Sequence, residues 1–292
     1  MKTHIFKNLL IFCVIAAGMT ARLVPAQDGT SEKYVFRYKF RPNDLLQWTV
    51  VSRVDQLSTR GSHRDNTETN SVSTKNWKVL EVDANGTAIL EYSIRDVDMK
   101  SHSSFENVES SYNSETDNPP PVEYLDVAEL IGLPIAHFTI NAKGEIVKRS
   151  QKAKVAATMQ FAETAEENRI TIPFPEHALG VGDAWNYSRE IILPQPGGTV
   201  RKVAVRERYT FEKIQNGIAT FGFRTDVLEP LDKDSEWALR TKIRDGTIQF
   251  DMIEGRSIFQ QYDVKRTALG TLPGGVSATY RSRFVEKYLR EE

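Results

Sequence analysis

The residues able to do chemistry in this sequence are sparse and widely spaced. Nucleophilic hydrolysis needs a serine or cysteine set on a tight turn beside a base; no G-x-S-x-G occurs, and the single cysteine, Cys13, lies in an N-terminal apolar run. Zinc sites want histidines at short spacing, whereas His63, His102, His137 and His177 stand far apart and no H-E-x-x-H is present, so they read as surface or packing residues. His63-Arg64-Asp65 matches a kinase catalytic tripeptide, yet neither a glycine-rich phosphate loop nor Asp-Phe-Gly accompanies it. Asp83-Ala84-Asn85-Gly86 begins like a calcium loop but lacks the closing glutamate, so a hairpin turn accounts for it better. Acid pairs such as Asp96/Asp98 and Asp232/Asp234 would share a strand face, as glycosidase acids or metal ligands do, although solvated strand faces carry the same pattern. Asn85 and Asn186 are formal glycan acceptors and carry no catalytic chemistry.

Charge excludes another class. With 38 Lys+Arg against 39 Asp+Glu, the chain lacks the basic surplus that phosphate recognition requires, so nucleic acid is not an expected partner. Lys202, Arg206 and Arg208 alternate with apolar residues as the wet side of a strand does. Gly180-Val181-Gly182 and Leu272-Pro-Gly-Gly275 read as turns feeding strands, not as dinucleotide-binding loops, and no cofactor is expected.

The elements that must position any site are mostly strands. Tyr34, Phe36, Tyr38 and Phe40 fall on one face with Arg37 and Lys39 on the other, and the same period of two recurs at Leu46/Trp48/Val50, Ala88/Leu90/Tyr92/Ile94, Val203/Val205/Tyr209/Phe211 and Trp237/Leu239/Ile243. Asn85-Gly86, Asn216-Gly217 and Asp245-Gly246 mark turns between them. Ser101 to Pro121 is polar and ends in three prolines, which predicts a long loop or an edge strand running into one; Val127 to Ile131 predicts a helical turn. One longer helix is expected over Ser150 to Glu167, with Val155, Met159 and Ala162 on one face.

The chain also resembles itself. Trp77-x-Val79 followed by Asn85-Gly86-x-Ala88-x-Leu90-x-Tyr92 matches Tyr209-x-Phe211 followed by Asn216-Gly217-x-Ala219-x-Phe221-x-Phe223. Asn43-Asp44-x-Leu46-x-Trp48 matches Gly182-Asp183-x-Trp185-x-Tyr187, and Phe138 with Gly144 matches Phe250 with Gly255, in the same order. A spacing of roughly 110 to 140 residues exceeds solenoid repeats, so two copies of one β-rich unit are expected, over residues 27–169 and 170–292. The expected class is mainly β with minor helix (α+β), as two related antiparallel units forming curved sheets or half-barrels.

Residues 1–26 read as a signal peptide: Lys2 and Lys7, the apolar run Leu9–Met19, and Val24-Pro-Ala26 before the cut. The run is too short for a membrane span of about 20 residues. Cleavage discards Cys13 and leaves a mildly acidic, cysteine-free chain in the periplasm or outside the cell, with no membrane span.

Several motifs together resemble an uncharacterised family of secreted bacterial proteins, a domain of unknown function. They are Tyr38-Lys-Phe40-x-Pro42-x-Asp44, the Trp77 to Ala88 hairpin, Leu130-Ile-Gly132-x-Pro134 with Gly144-x-Ile146, Gly182-Asp183-x-Trp185, and Phe250-Asp251-x-x-x-Gly255-Arg256. The chain departs from that pattern at Asn113, where an Asp is expected. The resemblance implies an exported β-rich protein and assigns no catalytic residue. Three functions stay open. The first is a noncatalytic protein that binds an apolar small molecule or lipid in a β-sheet concavity lined by Trp48, Trp77, Trp185, Tyr209 and Phe221, residues that equally well fill a core. The others are a cell-envelope structural or interaction module meeting a protein partner, and a hydrolase built on Asp226, Asp251 and Glu254.

Overall fold

The computed structural model describes residues 32–105, 107–152, 171–194, 199–272 and 275–290. Twelve strands result: β1 (Leu45–Arg60), β2 (His63–Val82), β3 (Ala88–Ser103), β4 (Val108–Asn113), β5 (Ala136–Ile140), β6 (Ile146–Gln151), β7 (Ala184–Pro194), β8 (Val200–Gln215), β9 (Ile218–Val227), β10 (Asp245–Asp251), β11 (Arg256–Leu272) and β12 (Val276–Tyr288). Among the described residues the helices are a 3-10 turn at Val122–Tyr124, α1 (Leu125–Ala128) and α2 (Lys233–Ala238). All strands join one open, curved antiparallel sheet in the order β6-β5-β3-β2-β1-β12-β11-β10-β9-β8-β7, with β4 on the outer part of β3. Strands from both predicted units therefore share one sheet, with β12 between β1 and β11. The joint expected at residues 169 and 170, the signal peptide, and residues 153–167 of the expected long helix lie outside the described residues; Ser150 and Gln151 belong to β6.

Within the sheet, β1-β2-β3-β5-β6 and β7-β8-β9-β10-β11 are meanders running the same way. Their corners match bond for bond. The Asn43 amide donates to the Val79 carbonyl and the Val79 amide to Asp44; likewise Gly182 donates to Phe211, and Phe211 to Asp183, all at 2.7–2.9 Å. Asn43 and Gly182 both have positive φ (71° and 98°). Each second strand then bulges at the same place, between Val79 and Glu81 and between Phe211 and Lys213. The turns differ. Asn216-Gly217 has positive φ at both residues (52° and 76°), the two-residue hairpin geometry, whereas in the longer first turn the Asp83 carboxylate accepts from the Asn85 and Thr87 amides.

Burial recurs at alternate residues over the parts of the strands near the corners, as at Leu46, Trp48 and Val50 of β1 and Val203, Val205, Glu207, Tyr209 and Phe211 of β8, so the core lies on one face of the sheet. Leu46, Trp48, Trp77, Leu90, Tyr92 and Phe138 form one cluster; Trp185, Tyr209, Phe211, Phe221, Phe250 and Tyr262 belong to another. The second cluster is closed by two segments that are not sheet strands, carrying Phe36 and Tyr38 and carrying Ile172, Phe174 and Leu179.

Three local expectations change. Tyr34–Phe40 is extended, yet only Tyr34 forms a bridge, to Leu179; Tyr38 and Lys39 donate instead to the carbonyls of Ala142 and Gly255. Alternation there reports a ribbon lying with one side on an apolar surface, which needs no partner strand. Trp237 and Leu239 belong to a helix and its C-cap, with the Asp232 carboxylate accepting from the Ser235 amide at 2.8 Å; an N-cap Asp followed by Asp234 and Glu236 carried that signal. Asp245-Gly246 opens β10 and is no turn: a side chain at Gly246 would strike the Gln261 carbonyl oxygen, so glycine permits close strand approach.

Candidate functional site

At one end of the long strands, four chain segments converge on a cleft of about 860 Å³. They are the corner from Arg41 through Asp44 with the first residues of β1, Leu45 and Leu46; the β8–β9 turn at Asn216 and Ile218; the β10–β11 turn from Asp251 with Arg256 and Ile258 of β11; and Tyr288 with Arg290 at the end of β12. The β10–β11 turn is self-supporting: Asp251 Oδ1 accepts from the Ile253 and Glu254 amides at 3.0 Å each, and the Gly255 amide donates to the Asp251 carbonyl. Gly255 has φ 62°, and a side chain there would collide with Lys39 and the Arg37 carbonyl, so the glycine lets the N-terminal ribbon cross the turn.

The cleft places charge beside apolar surface. Arg256, with its side chain 10% exposed, is the buried centre. Its Nη1 donates to Tyr288 Oη at 2.9 Å, its Nη2 lies 3.3 Å from Glu254 Oε2 and 3.8 Å from Asp44 Oδ2, and its carbon lies 5.5 Å from the Tyr288 ring centroid. Its Nε is buried and meets no hydrogen-bond partner among the described residues. Farther out, Arg41 reaches Glu254 at 3.8 Å and Arg290 reaches Asp251 at 3.7 Å. Leu45, Leu46, Ile218, Ile253 and Ile258 supply the apolar lining.

Of the three acids considered for hydrolysis, the fold brings Asp251 and Glu254 together and leaves Asp226 on β9, held by Arg224 at 3.1 Å and Arg206 at 3.5 Å. Asp251 and Glu254 act as acceptors for amides and guanidinium groups, an arrangement suited to holding charge. The aromatic candidates lie elsewhere. Trp48 packs 5.2 Å from Tyr288, behind the cleft, and donates from Nε1 to the Ser257 carbonyl. Trp77 packs on Tyr92 and Phe138. Trp185 stacks on Tyr209 at 5.3 Å, and Phe221 sits among Phe36, Phe174, Trp185 and Phe211. Tyr209 borders a cavity of about 30 Å³, room for roughly one water. Arg41, Tyr288 and Arg290 carried no sequence signal, since their neighbours in space are distant in the chain; Asp44 and Arg256 stood out only as parts of repeated or family-like motifs.

Beside this wall lies a buried ion pair. Lys75 Nζ and Glu286 Oε1 are 2.5 Å apart, on strands flanking β1, where Trp48 faces both Lys75 and Tyr288 in register. Burial pushes the Glu286 carboxyl above its ordinary value, opposed by the Lys75 charge, and burial raises the neighbouring Tyr92 phenol.

No protein-family model and no curated protein matches the chain. Among solved structures, one of lipovitellin, described by its lipid–protein interactions, superposes with a TM-score of 0.52 at 11% identity, over 86% of this chain and 26% of that one. A DUF1329 family protein from Desulfovibrio piger aligns over 83% of this chain and 84% of its own at 11% identity, with a TM-score of 0.15. The Salmonella injectisome secretin InvG aligns over 86% and 62% at 10% identity, with a TM-score of 0.16. The lipovitellin likeness is one of fold, and the chain spans about a quarter of that protein; the other two superpose too poorly to carry an argument. Among the described residues no helix is long and apolar enough to cross a membrane.

Proposed function

We propose that this protein is an exported, noncatalytic binder of an apolar or amphipathic small molecule of lipid type, held against the curved sheet at the cleft between the β1 corner and the β10–β11 turn. The cleft carries the reading: its volume of about 860 Å³ is that of a small-molecule site, and five aliphatic side chains line it. The lipovitellin-like fold supports the ligand class, since that structure is described by its lipid–protein interactions. The signal-like residues 1–26 support the periplasm or the exterior as its place, and the matched corners support descent of the two halves from one β unit. In this reading Trp48 buttresses Tyr288, while Trp77, Trp185, Tyr209 and Phe221 keep the sheet face rigid behind the ligand.

The test is displacement of a fluorescent naphthylamine probe by a dodecyl glycoside. Ile253→Asp and Leu45→Asp place charge on exposed positions in the cleft, so they spare the core and weaken binding by about tenfold or more. Unchanged affinity in both variants overturns the cleft assignment, and absence of binding by the unaltered protein overturns the function. A protein-interaction role in the cell envelope has its own observation: Phe105, just beyond β3, and Leu269, near the end of β11, are 65% and 75% exposed.

A further inference from the structure

The geometry points to a more specific ligand, resting on the binding reading above: an amphiphile whose head group is an oxyanion, phosphate or carboxylate, clamped by Arg41 and Arg290 while its chain lies on Leu45 and Ile253. Two arginines far apart in the chain reach the same short turn, Arg41 at Glu254 and Arg290 at Asp251. Both are spaced beyond hydrogen-bond reach, at 3.8 and 3.7 Å, and their side chains are 65% and 72% exposed. Among the described residues neither guanidinium makes a hydrogen bond, so each planar fork keeps its donors for a bidentate partner.

The acids beneath them are already engaged. Asp251 Oδ1 takes two backbone amides, and Glu254 and Asp44 face the buried Arg256. Charge is therefore graded: Arg41 and Arg290 are the most exposed charges of the cleft, Glu254 is 45% exposed between Arg41 and Arg256, and Asp44 and Asp251 lie deeper. An oxyanion at the mouth meets the two most exposed charges of the cleft, both positive. Leu45 and Ile253 line the same cleft, which gives an attached alkyl chain an apolar surface next to the clamp.

Four probes separate the outcomes by calorimetry on the full chain: dodecyl phosphate, dodecyl maltoside and dodecyltrimethylammonium, each below its micellar concentration, and inorganic phosphate. Dodecyl phosphate is expected to bind at least tenfold tighter than the maltoside, and inorganic phosphate at least a hundredfold more weakly than dodecyl phosphate. The double variant Arg41→Gln/Arg290→Gln brings dodecyl phosphate down to the level of the maltoside, and Arg60→Gln, at the far end of β1, does not. Equal binding of phosphate and maltoside overturns the clamp and leaves the apolar binding reading standing. Preference for the ammonium overturns it in favour of the acids, inorganic phosphate as tight as dodecyl phosphate makes it a free-anion site, and no binding by any dodecyl probe overturns both readings.

Discussion

Single residues are read most securely here where they alternate. Trp48, Trp77, Trp185, Tyr209 and Phe221 are all buried, because a period of two along an extended chain puts every second side chain on one face whatever the strand pairs with. Phe36 shows both the power and the limit of that signal. It is buried as its alternation predicts, yet it sits on a ribbon outside the sheet ladder, touching Phe174, Phe211, Phe221 and Phe250. Phe36→Ala should lower the unfolding free energy by about 3–5 kcal/mol, the cost of emptying a packed aromatic site. Urea unfolding checks it; a loss below about 1 kcal/mol would mean the ribbon does not close the core. Charged residues give a weaker local signal. Arg256 and Glu254 are close in sequence, but nothing local announces that Tyr288, Arg41 and Arg290 join them.

At the scale of elements, turn chemistry was legible where one residue type had to take one conformation. Gly144, which the internal repeat pairs with Gly255, has φ 88°, and a side chain on it would strike the Ile172 carbonyl oxygen and the Tyr38 ring. Gly182 has φ 98° with open space around it. Gly144→Ala should therefore cost about 3 kcal/mol or more, combining backbone strain with a clash against backbone, while Gly182→Ala should cost about 1–2 kcal/mol from strain alone. Thermal or urea unfolding of the pair checks the order; equal losses would show that the crossing ribbon yields to the added methyl. Where two signals competed the reading failed: Trp237, Leu239 and Ile243 fit a period of two, but Asp232 capping a short helix decided the segment.

For the whole molecule the decisive element is β12, which pairs β1 on one side and β11 on the other and so unites the halves. Its Glu286 is buried against Lys75 of β2, with Tyr92 nearby. Because burial raises the folded carboxyl above its ordinary value of 4.5, the native state holds an extra proton from that pH up to the raised value, and stability falls as pH rises through this window; below 4.5 the contribution is constant. The double variant Lys75→Met/Glu286→Gln should lose this slope, read as unfolding free energies in urea from pH 4 to pH 8. A constant difference between the two proteins across that range would remove Glu286 as its source. By itself the sequence determined extended structure with one apolar face and the turns at Asn85-Gly86 and Asn216-Gly217, because these follow from side-chain type and short-range periodicity. Only the tertiary structure decided that the strands form one sheet, that a ribbon outside that sheet closes the core, and that Arg41 and Arg290, far apart in the chain, reach one turn. Those outcomes depend on which distant surfaces bury each other, and a period of two states only which way a side chain points.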